Sequence, residues 1–423
     1  MLHQIPLEVR LLVVFLLGAA VATQLNRAIY RLAYHRREIG PWSPPHPDAA
    51  PRRWPDRLPI IGWLGLRREA PLHGRGYWVR PLLIELCSGF GLAALYAWMM
   101  RGGLLPEEAR QIAAAGAAGH SQFLAHAVLF ALMLVATFID LDEQTIPDEV
   151  TVPGTLLGLL LAATLPQSAL PDFRAFPVAA WEAPGTPAVV WRVAGLQLCS
   201  PQPWPAWLNG PPGLWIGWAC FLGWCYAIAP KTWWTRRGLF PALRYLAVSI
   251  WRHPGSRWIA ALACAGCSGL TLAWWLGPPR WPALLSALVG MAVGGGLIWA
   301  VRVVAGSVLG REAMGFGDVT LMAMIGAFLG WQSSLIVFFL APFAGVVIAV
   351  AQWLITGRKD IAYGPFLCAA ALLLVLAWPQ LWNGWGRPVF GMGWFIPALL
   401  LVCLGLMGGL LAIWRFLSSR LSG

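Results

Sequence analysis

Two short acidic stretches interrupt long apolar runs in this chain. The first is Phe138-Ile139-Asp140-Leu141-Asp142-Glu143-Gln144-Thr145-Ile146-Pro147-Asp148-Glu149, where an apolar run meets a carboxylate, turns at Pro147 and becomes apolar again. The second is Met314-Gly315-Phe316-Gly317-Asp318-Val319-Thr320-Leu321, where two glycines lead into an Asp that opens another apolar run. Carboxylates at a membrane edge are expensive, so each is a functional candidate. Two at the same depth can share one water, one member holding a proton while the other is ionised. The ionised member can then deprotonate the water as it attacks a peptide carbonyl, and the protonated member can donate to the carbonyl oxygen or the leaving amine. Titration would belong to the pair. Each acid also has a plainer reading: Asp318 suits a helix N-cap, and Asp140 could be an interfacial turn acid beside Pro147. Spacing alone leaves both open.

The elements that would position these acids follow from composition. Of 423 residues, 58% are hydrophobic and only 48 are charged, 30 Lys+Arg against 18 Asp+Glu, and mean hydropathy is +0.65. Soluble domains carry roughly a quarter charged residues and disordered chains far more charge than this, so both classes are excluded. The 27 Trp fit repeated crossings of a membrane interface. Apolar runs of about 20 residues predict an all-α, polytopic transmembrane bundle of about 11 spans. They lie near 8–25, 82–100, 121–140, 149–165, 213–230, 257–276, 282–305, 319–332, 335–356, 364–381 and 394–414, with 319–332 the shortest.

Alternating sides from an external N-terminus puts 23 of the 30 basic residues on one face, including eleven Arg of the loop 26–81. Only Arg10, Arg101, Arg110, Arg174, Arg192, Arg280 and Arg387 fall on the other. The positive-inside rule makes the basic face cytoplasmic, and Asp140 and Asp318 both fall there. The net charge of +12 is thereby a topology signal, and no nucleic-acid partner is expected. Ala-Val-Ala at 20–22 could mark a cleaved signal peptide, but cleavage would reverse this agreement, so a retained first helix is expected. Residues 26–81 read as a cytoplasmic, Arg- and Pro-rich loop, irregular over 40–76. Residues 166–211, rich in Pro and Trp, read as an external loop or cap. The eight Cys scatter through apolar runs as packing residues, Cys264-Ala-Gly-Cys267 lacks a second pair or nearby His, and His126 reads as a satisfied polar group.

Further segments, taken in order, resemble the type IV prepilin peptidases, membrane aspartyl proteases with a GxGD motif and, in many members, an N-methyltransferase activity. Leu25-Asn26-Arg27-Ala28-Ile29-Tyr30-Arg31-Leu32 looks like the end of that family's first helix. Asp56-Arg57-Leu58-Pro59-Ile60-Ile61-Gly62-Trp63-Leu64 is similar to its cytoplasmic-loop pattern, and Arg80-Pro81 with Glu85 to the start of its second helix. Asp140, Ile146-Pro147-Asp148 and Thr151-Val152-Pro153 resemble the first aspartate motif. Gly315-Phe316-Gly317-Asp318, Leu321, Ala323, Gly326 and Leu329-Gly330-Trp331 resemble the second, and Tyr363-Gly364-Pro365-Phe366 a further segment.

The resemblance implies catalysis by Asp140 and Asp318. Gly315 and Gly317 would permit close helix approach, Pro147 belongs to the supporting motif, and Asp148, Asp142 and Glu312 are supporting candidates whose plainer reading is exposed polar turn residues. It implies a multi-pass protein of the bacterial inner membrane with its active site at the cytoplasmic face. The expected substrates are type IV prepilins or type II secretion pseudopilins, cleaved after the leader's final Gly, with membrane lipid meeting the arginine-rich loop. Proteolysis needs no cofactor, whereas S-adenosylmethionine would be needed if methyl transfer is retained.

Three departures qualify the resemblance. The loop 26–81 has no Cys where typical members carry two CxxC pairs, so no zinc is expected there. Thr320 stands where a Lys is usual, and 178 residues separate the two aspartates. The excess falls at about 166–280 and holds an added hairpin of two spans, which keeps both aspartates on one side. The expected organisation is a first helix over 1–25, the loop 26–81, a membrane segment 82–165 with the first Asp, the insertion 166–280, and a membrane segment 281–423 with the GxGD motif. A proton-coupled transporter, or a non-catalytic pilus assembly factor, is the alternative.

Overall fold

A backbone removed from water must pair its own N–H and C=O groups, so apolar runs close into helices. In the computed structural model, which describes residues 5–110, 117–177, 189–229, 244, 248, 254–310, 312, 314–356 and 362–421, a helix stands on each of the eleven expected segments. These are α1 (Leu7–Leu32), α2 (Val79–Met100), α3 (Ala117–Glu143), α4 (Asp148–Thr164), α5 (Pro211–Ile228), α6 (Pro254–Leu276) and α7 (Arg280–Leu309). They continue with α8 (Phe316–Leu329), α9 (Trp331–Thr356), α10 (Gly364–Leu376) with α11 (Trp378–Gly391), and α12 (Phe395–Leu421). The chain is a polytopic helical membrane protein.

Seven of the helices, α1, α2, α3, α6, α7, α9 and α12, are long and apolar enough to cross a membrane, and α10 with α11 makes an eighth if the pair is one span. That pair bends by 84°, which the apolar run 364–381 did not announce. Helix α8 has 14 residues, about 21 Å at 1.5 Å each, too short for a hydrocarbon core of about 30 Å. It has no need to span one, because residues 318–327 are all buried among other helices. Gly290 of α7 and Gly326 of α8 let the two backbones touch, since a Cβ on either would collide with the other's carbonyl oxygen.

The polar connections hold more structure than their composition suggests. Residues 54–73 form short helical turns at Trp54–Arg57, Ile61–Leu66, Arg67–Glu69 and Ala70–His73, where an irregular loop was expected. Ion pairs organise them: Arg68 Nη1 donates to Asp56 Oδ1 at 2.9 Å, and Arg52 pairs with Glu69. Glu85 of α2, fully buried, accepts from the Ile60 N–H at 2.5 Å and Trp63 Nε1 at 2.8 Å. At the opposite end of the bundle, the Pro- and Trp-rich stretch carries an antiparallel hairpin of β1 (Pro171–Pro177) and β2 (Val189–Gly195), an exception to the all-α reading. Buried Asp172 accepts from Trp382 Nε1 at 2.9 Å, and Trp378 Nε1 donates to the Pro171 carbonyl at 2.8 Å, seating the hairpin on α11. Most of the basic loop expected at 231–256 lies outside the described residues.

Candidate active site

Asp140 sits in the last turn of α3, three residues before its end, and Asp318 in the first turn of α8. Both are buried, at 5% and 8% exposure. Although 178 residues apart, their carboxyls lie within electrostatic reach of each other. Neither plainer reading fits. The N-cap of α8 is Gly315, and Asp318 is the third helical residue, with its carboxylate turned back toward the Gly315 backbone. Asp140 lies inside a helix, several residues ahead of the Pro147 turn.

The third wall is the N-terminus of α10. The first N–H groups of a helix have no partner within it; here the Gly364 N–H donates to Asp140 Oδ2 at 3.0 Å. A Cβ on Gly364 would stand 2.5 Å from that oxygen and 2.9 Å from Ile146 Cδ1, so the approach requires glycine. Tyr363 stands within electrostatic reach of Asp318, and the buried Cys368 of α10 within reach of both aspartates.

The two motif glycines differ. A Cβ on Gly317 would meet Ile146 Cβ at 2.9 Å and the Ile146 carbonyl oxygen at 3.0 Å, so Gly317 permits the close approach that was expected of both. A Cβ on Gly315 would find nothing nearer than Asp318 Oδ2 at 3.7 Å, so no close approach depends on glycine there. Pro147 caps α4 and directs the chain from α3 back into the bundle, which sets Ile146 against Gly317. Thr320, at the position of the usual Lys, donates to the Gly317 carbonyl at 3.0 Å and accepts from Thr151 of α4 at 3.0 Å, tying α8 to α4 beneath Asp318.

Two of the remaining acids of the first motif, Asp142 and Glu143, hold α3 in place. Asp142 takes Arg80 Nη1 at 2.9 Å on both oxygens, and the same guanidinium reaches the Phe138 carbonyl at 3.3 Å and lies over the Phe138 ring at 4.6 Å. A cation on the last-turn carbonyls of a helix is favourable. Glu143 accepts from the Tyr34 and His35 N–H groups just past α1, at 2.6 and 2.9 Å. Asp148 is exposed in the first turn of α4, and Glu312 is exposed and pairs with Arg302 at 3.1 Å. Sequence reasoning missed Glu143 and the role of the Gly364 N–H. The first is one of five acids between 140 and 149, and nothing in its type sets it apart; the second is a backbone group. His126 is buried as expected, with Nδ1 2.6 Å from the Gln122 carbonyl. Among the described residues no group of three or more His, Cys, Asp or Glu is placed to hold a metal ion.

Comparison with known proteins follows these two motifs. The type IV leader peptidase family model matches residues 127–182 and 257–350, one segment around Asp140 and one around Asp318. These segments belong to the type IV leader peptidase family. Similar proteins include prepilin leader peptidase/N-methyltransferases of Aeromonas salmonicida, 30% identical over 125 residues, 29% of this chain and 38% of that one. Others are those of Myxococcus xanthus, 34% over 136 residues (32% and 38%), and Escherichia coli K12, 32% over 99 residues (22% and 44%). The chain thus spans about two fifths of the length of these relatives. Residues 183–256, between the matched leader peptidase segments, have no counterpart in the family model. No solved structure matches the chain.

Proposed function

We propose that the protein is an aspartyl endopeptidase that removes the leader from type IV prepilins or type II secretion pseudopilins at the cytoplasmic face of the bacterial inner membrane. The observation that carries this reading is that two buried carboxylates from α3 and α8 lie within electrostatic reach of each other, with the Gly364 N–H held on Asp140. With Oδ2 of Asp140 held by that donor, its other oxygen can take a proton from a water between the two acids. Asp318, sharing the water, donates its proton to the scissile carbonyl oxygen; as the tetrahedral intermediate collapses, the proton gained by Asp140 goes to the leaving amine and a hydroxyl proton of the intermediate returns to Asp318. Burial keeps bulk water from competing and strengthens each of these interactions.

The relatives' double name adds methyl transfer. The paired carboxylates supply nothing for that reaction, and leader removal is the activity that Asp140 and Asp318 support. Co-expression with a prepilin from the same source tests it: wild type shortens the prepilin, and Asp140→Asn and Asp318→Asn do not. Processing that survives both substitutions would sink the aspartyl mechanism.

A further inference from the structure

The end of the bundle that carries the aspartates also carries a cleft that neither aspartate lines. Gln24, Arg27, Arg31 and their neighbours on α1 line it, Arg36 joins from beyond the helix end, and Glu149 of α4 stands on its far side, around about 500 Å³. Spacings of three and four residues set Arg27 and Arg31 on one helix face. All three arginines are exposed, and none forms an ion pair with a described residue. Three guanidiniums around one concave space are a donor set for phosphate, which they can meet with paired N–H groups.

The direction in which the cleft opens indicates where that phosphate comes from. At 3.6 residues per turn, Arg27 and Arg31 stand about five turns beyond Val9 and Val13 on the same side of α1. That side is bare apolar surface: Val9 is 49% exposed, Val13 48% and Leu16 56%. A lipid whose acyl chains lie along Val9, Val13 and Leu16 would bring its headgroup to the arginines. A soluble phosphate would gain nothing from this continuity. We propose that the cleft binds the phosphate headgroup of an anionic phospholipid seated on the apolar face of α1, with Arg27, Arg31 and Arg36 on the phosphate and Glu149 accepting from a headgroup hydroxyl.

The test uses the full chain in nanodiscs of phosphatidylcholine containing a minority of phosphatidylglycerol, with the lipid retained after detergent exchange counted by native mass spectrometry. Wild type is expected to retain phosphatidylglycerol in preference to phosphatidylcholine. Replacing Arg27, Arg31 and Arg36 by Gln should weaken retention about fivefold per arginine removed. Arg36→Gln alone, outside the helix, carries the test if the triple variant fails to fold. Arg57→Gln with Arg67→Gln is the control, since these arginines lie over Trp42 and Trp78 away from the cleft, and should retain lipid as wild type does. Unchanged retention in the triple variant and in Arg36→Gln, or equal loss in the control, would overturn the proposal. Displacement by inorganic phosphate would assign the site to a soluble anion, and arginine-dependent binding of an acidic peptide without any change in lipid retention would assign it to substrate; either result contradicts the lipid reading.

Discussion

Gly364→Ala isolates the contact between α10 and Asp140. The added Cβ would stand 2.5 Å from Asp140 Oδ2, whereas a carbon and an oxygen in contact keep roughly 3.3 Å. The carboxylate must retreat by about 0.8 Å, and the 3.0 Å bond from the Gly364 N–H is stretched out of range. Loss of a hydrogen bond to a charged group costs about 1.5–3 kcal/mol, and misplacing a catalytic group by about 1 Å costs on the order of 100-fold in rate. Cleavage of a prepilin by the purified protein should therefore fall about 100-fold in kcat/KM. The carbon also overpacks against Ile146, so stability should drop by about 1–3 kcal/mol, and a thermal melt separates that loss from the kinetic one. Activity within about threefold of wild type, in a folded variant, would refute the claim that this N–H positions Asp140.

Two further outcomes follow from the same geometry. Gly317→Ala, which drives a carbon into Ile146, should lose most cleavage, while Gly315→Ala, with open space and its N–H retained, should cleave within about threefold of wild type; parallel kinetics of the two variants would show otherwise. Arg68, through its hydrogen bonds and charge, holds the Asp56 carboxyl below the usual carboxylate range. The stabilisation is therefore present above about pH 4 and lost as pH falls through the depressed value. Hydrogen exchange over residues 54–69 should accelerate in acid for wild type, beyond the intrinsic pH effect. In Asp56→Asn it should be fast at neutral pH, reflecting about 1–3 kcal/mol, and gain nothing further in acid.

Much of this arrangement was legible in the sequence because a membrane leaves few options. Apolar runs had to become helices, and the scarcity of charge made Asp140 and Asp318 visible before any geometry was known. What composition could not express was anything decided by contact. The 14 residues of α8 read as a doubtful span because hydropathy does not distinguish a helix facing lipid from one enclosed by protein. The 84° break at Ala377 and Trp378 lies inside one apolar run, and the hairpin that binds Trp378 and Trp382 beside it lay in a stretch whose prolines masked its strands. Residues 54–73 looked irregular because their turns are too short for periodicity and are held by Asp56–Arg68, Arg52–Glu69 and Glu85. The equal treatment of Gly315 and Gly317 failed for the same reason, since only the placement of Ile146 separates them.

If Asp140 and Asp318 act as one unit, a double-mutant cycle measures it directly. Purified wild type, Asp140→Asn, Asp318→Asn and the double variant would be compared for the rate of prepilin leader release, each checked for retained fold. Residues that share one water lose their function together. Each single variant should therefore fall to the residual rate, with the double variant no slower than either. Substantial cleavage by either single variant, or losses that multiply in the double, would contradict the account.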